Sequence, residues 1–265
     1  MIGLPALSTT PLPGQRIGLV LCLFFIVASG LSAASDVEAV NIIYPLKGNI
    51  APREGTIAVW IKPYINPMED SGRFYEFFIF RVQDSAGFNV SLIWDDKLGL
   101  KPYGTYGKDQ PIRGFTTTRP LVRKGEIHWK RGEWHHVAFS WHENHVSLYF
   151  DGRPAASCTL SDPLYFRETS ELTLGYGLSQ IAVDEFCVTA AAHSADTIAD
   201  WGKHRPVIDK KTLLIDPFEK LSADGSETVA TLISGFSDES GGAVRRATPS
   251  LVDGRFGQAL QLFSK

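Results

Sequence analysis

Glycoside hydrolysis needs two carboxyl groups about 5 to 9.5 Å apart across the scissile bond. On a β-strand that geometry favours acidic residues two positions apart on one face. The acidic pairs of this chain do not have that spacing. Asp95-Asp96 and Asp184-Glu185 are adjacent, so their side chains are expected to diverge. Glu168 and Glu171 differ by an odd count and sit near a turn. His135 and His136 are also adjacent and, on a strand, cannot chelate one ion together. His142-Glu143-Asn144-His145 is one residue short of the metalloprotease spacing and reads as a polar turn. No glycine-rich loop leads into a helix and no serine elbow is present, so nucleotide and acyl-transfer chemistry lack support. The expectation is a protein that is not an enzyme.

Binding chemistry is better represented. Between Leu100 and Trp134 the cations Lys101, Lys108, Arg113, Arg119, Arg123, Lys124, Lys130 and Arg131 face only Asp109, Glu126 and Glu133, a local net charge of +5. Tyr103, Tyr106, Phe115 and Trp129 are interleaved with them. Aromatic faces beside cations grip sugars and anionic polymers. Tyr103, Tyr106, Arg113, Phe115, Arg123, Lys124 and Trp129 are therefore the candidate ligand-binding residues. The bland alternative is a solvated hairpin whose charges keep it soluble.

The whole chain bounds these readings. Its 265 residues are 44 % hydrophobic and 21 % charged, enough apolar content for a packed core. A formal net charge of -3 argues against a chain-wide nucleic-acid binder, which would be strongly basic. Arg16 precedes an apolar run from Ile17 to Val27, followed by small residues through Ser35, the order of a secretory signal peptide over residues 1–35. The run is short of the roughly 20 residues that span a bilayer, so a secreted or cell-surface protein is expected, membrane-held only if the segment is uncleaved. Cys22 within that run follows bulky Leu21, against lipidation. Cys158 and Cys187 remain, an even pair compatible either with one disulfide or with two buried thiols.

The elements that must position these residues are short strands. Ile57, Val59 and Ile61 alternate with Ala58, Trp60 and Lys62 up to Pro63. Tyr75 to Val82 is a continuous β-forming run, and Phe88, Val90, Leu92 and Trp94 alternate with Asn89, Ser91 and Ile93. Val137, Phe139 and Trp141 share one face; Val146, Leu148 and Phe150 repeat the pattern after a turn, and Asp151-Gly152 makes the next turn. Leu172 with Leu174, and Ile181 to Val188, supply two more strands. Helical periodicity is confined to Ala195 to Trp201, with Ser194 as its cap. The pattern predicts an all-β fold, a two-sheet antiparallel sandwich with a short helix near 194–201.

The stretch Gly132-Glu133-Trp134-His135-His136-Val137-Ala138-Phe139 through Leu148-Tyr149-Phe150-Asp151-Gly152-Arg153 resembles the central signature of LamG-like jelly-roll domains, of the concanavalin A-like kind. Glu54 to Pro63 looks like that family's early strand, and Ile181 to Phe186 like its closing strand. The resemblance implies a jelly-roll domain over residues 40–205. Trp134 is expected to anchor its core. Asp184-Glu185 is expected to hold a hydrogen-bonded structural role, with calcium ligation the alternative and no other cofactor. Residues 206–265 carry Leu213 to Phe218 and Leu251 to Leu260, similar to the family's opening strands. They either complete the same sandwich, as in a circular permutation, or begin a truncated second copy. By analogy of fold the expected function is extracellular recognition or adhesion, binding a polysaccharide or protein surface, acidic ones included, with no nucleic-acid or nucleotide partner. A polysaccharide-active hydrolase and a structural spacer of a larger surface protein are the alternatives.

Overall fold

The computed structural model describes residues 40–64, 76–83, 89–95, 99–106, 110–111, 122–123, 128–160, 163–164, 166, 170–177, 180–223, 225, 228, 231–232, 243–245 and 249–263. The segment read as a signal peptide lies outside them. The strands are β1 (Asn41–Pro45), β2 (Glu54–Pro63), β3 (Glu76–Gln83), β4 (Asn89–Asp95), β5 (Gly99–Tyr106), β6 (Gln110–Pro111), β7 (Val122–Arg123), β8 (His135–His142), β9 (His145–Phe150) and β10 (Arg153–Thr159). They continue with β11 (Glu171–Gly177), β12 (Ile181–Thr189), β13 (Thr212–Asp216), β14 (Thr231–Leu232), β15 (Ala243–Arg245), β16 (Ser250–Asp253) and β17 (Gln258–Gln261), with helix α1 (Ala195–Trp201) between β12 and β13.

Two antiparallel sheets result. One runs β15-β1-β11-β3-β4-β5-β6, with β7 on β5; the other runs β10-β9-β8-β2-β12-β13-β14, with β17 also on β12 and β16 on β17. The mostly-β sandwich with one short helix is the architecture the alternation predicts. Strands of the 206–265 segment lie in both sheets: β13 and β17 hydrogen-bond to β12, and β15 to β1.

Period-two patterning decides which side chains fill the space between the sheets. Ile57, Val59 and Ile61 of β2, Val137, Phe139 and Trp141 of β8, and Val146 and Leu148 of β9 join Ile42, Tyr44, Leu172 and Leu174 in one buried cluster. Gly55 is required there. A Cβ at that position would overlap the Trp141 indole and come within 2.7 Å of the Thr189 carbonyl oxygen. Asp151 and Gly152 turn β9 into β10 with φ of 48° and 74°, which glycine and aspartate tolerate.

The opposite face of the nine-stranded sheet is covered at one end by α1. Ser194 caps this helix, its Oγ accepting from Thr197 N at 3.3 Å. Ile198 and Trp201 pack on Ala58, Ala138, Tyr149, Cys187 and Ile215. Alanine at 58 and 138 lets the helix approach the sheet, so the outward face divides into a helix-covered end and the end that carries Trp60, Lys62 and His136.

The cysteines correct the disulfide reading: Cys158 and Cys187 are both free. Cys158 is on the edge strand β10 and Cys187 on β12, four strands away. At about 4.8 Å per strand this is roughly 19 Å, far beyond the ~7 Å a disulfide tolerates. They also face opposite ways, Cys158 toward the inter-sheet core and Cys187 toward α1.

Candidate functional site

The candidate ligand residues read from the sequence do not come together as one described site. Tyr103 and Tyr106 are on β5, and Arg123 is on β7, which pairs with β5 through Gly99 and Arg123 at one end of the eight-stranded sheet. Their side chains, and the whole of Arg113, Phe115 and Lys124, lie outside the described residues. Trp129 is a correction. It is 4 % exposed and belongs to the inter-sheet core. Its ring stacks on His135 at 4.8 Å and 15° and meets Phe150 edge-on at 5.3 Å. Buried in this way, the indole has no free face for a ligand.

Trp134 is the converse correction. It is half-buried and absent from the core. Val137, Phe139 and Trp141 point inward, so residues 134, 136 and 138 point outward by parity. Trp134 therefore shares the outer face with Lys62, whose Nζ sits 4.7 Å from the centre of its ring. The same ammonium is 5.8 Å from the Tyr64 ring and donates to the Asp253 carbonyl oxygen at 3.0 Å. Gly132 N donates to Pro63 O at 2.7 Å, which brings the turn carrying exposed Lys130 and Arg131 beside Tyr64. Two half-buried aromatic rings and three cations thus gather at the end of the sheet away from α1.

One row further toward α1, His136, Trp60 and Asp184 are in register across β8, β2 and β12. The Trp60 ring lies 5.3 Å from His136 and 5.9 Å from Phe256. The Arg255 guanidinium lies 4.8 Å over the Trp60 ring. Trp60 Nε1, His136 Nδ1 and Asp184 Oδ1 are buried with no hydrogen-bond partner within the protein. Burial pushes the His136 imidazole down to about 4, against the pull of Asp151, so it is neutral at pH 7. His135, on the opposite side of the strand, pairs with Asp151 at 3.1 Å, so the two histidines diverge as adjacent strand residues must.

The Asp184-Glu185 pair departs from that rule. The β12 register shifts against β2 between Asp184 and Cys187, and Glu185 has φ of 49°. This is a β-bulge, which adds one residue and re-aims its side chain. Phe186 consequently points inward, stacking on Tyr44 at 5.3 Å, and Glu185 shares the outer side with Asp184. The expected divergence is corrected by a local backbone feature. Glu185 Oε1 pairs with Arg205 Nε at 2.8 Å; the same guanidinium bonds Glu219 Oε1 at 2.5 Å and donates to the Phe256 carbonyl. Asp184 Oδ2 accepts from Arg255 N at 2.6 Å and Phe256 N at 3.1 Å, and Glu219 Oε2 from Gln258 N at 3.1 Å. Together these groups hold the turn between β16 and β17 against the sheet. Burial and the neighbouring Asp184 charge raise the Glu185 carboxyl to about 7 despite Arg205. Burial also raises Asp184, against its backbone donors.

Asp184 and Glu185 are 0 % and 3 % exposed, beneath that turn and Arg205. As they stand they act as a structural clamp. Among the described residues no group of three His, Cys, Asp or Glu is placed to hold a metal ion. Nor does any helix there have the length and apolarity to cross a membrane.

The match to a protein family agrees with the architecture. Residues 40–199 match the family model described as the concanavalin A-like lectin/glucanases superfamily. No curated protein matches the chain. Among solved structures, a putative carbohydrate-binding protein from Bacteroides ovatus is 11 % identical, with a TM-score of 0.49 over 79 % of this chain and 58 % of that one. A pentraxin from Limulus polyphemus is 12 % identical, with a TM-score of 0.45 over 63 % and 76 % of the two chains. Domain 4 of an extracellular arabinanase from Geobacillus stearothermophilus is 19 % identical, with a TM-score of 0.41 over 62 % and 72 %. With the sandwich, its strand pairing and the family match over residues 40–199 in agreement, the chain belongs to the concanavalin A-like lectin/glucanase superfamily.

Proposed function

We propose that this chain is a non-catalytic extracellular recognition module that binds acidic carbohydrate on the outer sheet face, at the end away from α1. The observation that carries the reading is the grouping of half-buried Trp134 and Tyr64 around the Lys62 ammonium, with Lys130 and Arg131 on the adjoining turn. An aromatic face packs against the C–H side of a sugar ring, and an ammonium or guanidinium beside it pairs with a uronate or sulfate. The +5 segment ending at this turn adds long-range attraction for the same class of polymer. Export, suggested by the Arg16 to Ser35 pattern, brings the module to where such polymers occur.

The non-catalytic reading is supported by the burial of Asp184 and Glu185. A general acid must reach the glycosidic oxygen within hydrogen-bond distance. Glu185 is held by Arg205 and Asp184 by the Arg255 and Phe256 backbone N–H groups, and neither side chain is more than 3 % exposed.

The test is chromatography of the purified protein on immobilised heparin and polygalacturonate across a salt series. Retention at low salt that falls steeply as salt rises is expected. No retention on either matrix at low salt contradicts the proposal.

A further inference from the structure

The segment between α1 and β13 has a feature that carbohydrate recognition does not use. Pro206 and Thr212 are buried and fix its two ends. Asp209 ties the turn: its Oδ1 accepts from Lys211 N at 2.8 Å, Thr212 N at 3.1 Å and Thr212 Oγ1 at 3.2 Å. Its own N–H donates to Thr212 Oγ1 at 2.9 Å, and Ala190 N donates to Lys211 O at 2.7 Å. Held this way, Val207 and Ile208 project into solvent, 67 % and 55 % exposed. Among the described residues they are the most exposed large hydrophobic side chains. Lys203, Lys210 and Lys211 flank them, all exposed.

We propose that this tip docks the protein on an anionic lipid bilayer, Val207 and Ile208 entering the headgroup boundary and the three lysines meeting lipid phosphates. An apolar point with a basic collar is the pattern of interfacial membrane binding. Lysine stems lie along the apolar boundary while their ammonium groups stay at the charged surface. A protein partner fits less well: two aliphatic residues fall far short of the roughly 800 Å² per partner of a stable interface. Lysine is also depleted from such interfaces. The rigid turn means that little chain entropy is lost on docking.

Vesicle co-sedimentation of the purified protein tests this, with phosphatidylcholine vesicles compared with vesicles containing about a third phosphatidylglycerol. Binding to the anionic vesicles alone, declining as salt rises, is expected. The double variant V207D/I208D should weaken it at least tenfold. K210A/K211A should weaken it about twenty-fivefold, fivefold for each lysine. All four positions are exposed, so an unchanged melting temperature should accompany the loss. Trp134→Ala should leave vesicle binding intact. Absent binding, equal binding to both vesicle types, or binding unaffected by V207D/I208D overturns the proposal. So does a wild-type dimer that V207D/I208D dissolves, which would assign the tip to self-association.

Discussion

The Tyr44 hydroxyl donates to Asp216 Oδ2 at 2.6 Å, joining β1 of one sheet to β13 of the other through the buried core. Asp216 also accepts from the Thr228 hydroxyl and from Phe218 N at 3.0 Å. Burial raises its carboxyl against these three bonds. The 206–265 segment is therefore tied to the first strand of the domain by a buried polar contact as well as by strand pairing. Tyr44→Phe removes one donor and leaves the carboxyl under-satisfied, at a cost of about 2 kcal/mol. Urea denaturation should show a lower midpoint with an unchanged slope, because the unfolding unit stays the same.

His136 gives the fold a weakness toward acid. Its folded value of about 4 lies below the usual 6.5, so the native state binds fewer protons than the unfolded chain between those values. The stabilisation is complete above pH 6.5 and is lost as pH falls toward 4, amounting to roughly 3 kcal/mol. His136→Phe keeps an aromatic ring on Trp60 and removes this titration. Melting temperatures measured from pH 7.5 to 4.5 should fall less steeply for the variant than for the wild type.

Glu185 acts in the opposite sense. Its carboxyl is raised from 4.5 to about 7, so stability is complete below 4.5 and is lost as pH rises through 7. Glu185→Gln imitates the protonated form. Relative to wild type, the variant should gain melting temperature between pH 5 and pH 8. A constant difference across that range would show that Glu185 titrates normally.

Gly55 is the tightest backbone position beside the core. With Trp141 and Thr189 O filling the place of a Cβ, Gly55→Ala forces the indole or β12 to move. The expected destabilisation is about 2 kcal/mol, read as a shifted chemical denaturation midpoint. No loss would mean that the indole relocates freely.

The sandwich was legible because alternation is local: Ile57, Val59 and Ile61 against Ala58, Trp60 and Lys62 predict both faces of β2 without any long-range information. The Ser194 cap and the seven-residue helix were legible for the same reason. Much of the candidate site was not. Trp134 reads as core by residue type, yet its parity with His136 and Ala138, opposite Val137 and Phe139, already places it outward. Trp129 reads as a ligand ring because it is interleaved with the cations of a basic segment, but it packs into the inter-sheet core. The bulge at Glu185 overrides the alternation that makes adjacent carboxylates diverge, and its cause is a register shift between distant strands. The Arg255 and Phe256 contacts to Trp60 span nearly two hundred residues, beyond the reach of any local pattern.

The two outward and inward tryptophans separate binding from folding. Trp141→Ala empties a fully buried site and should cost about 4 kcal/mol. Trp134→Ala should leave the melting temperature near wild type and weaken binding to immobilised acidic glycan about tenfold, by loss of the aromatic face and its contact with Lys62. The most direct measurement is therefore the heparin or polygalacturonate affinity of wild type against Trp134→Ala at low salt, with both proteins shown to be folded. A tenfold loss in the folded variant is the result predicted. Equal affinity of the two proteins contradicts the assignment of acidic-glycan recognition to the outer sheet face.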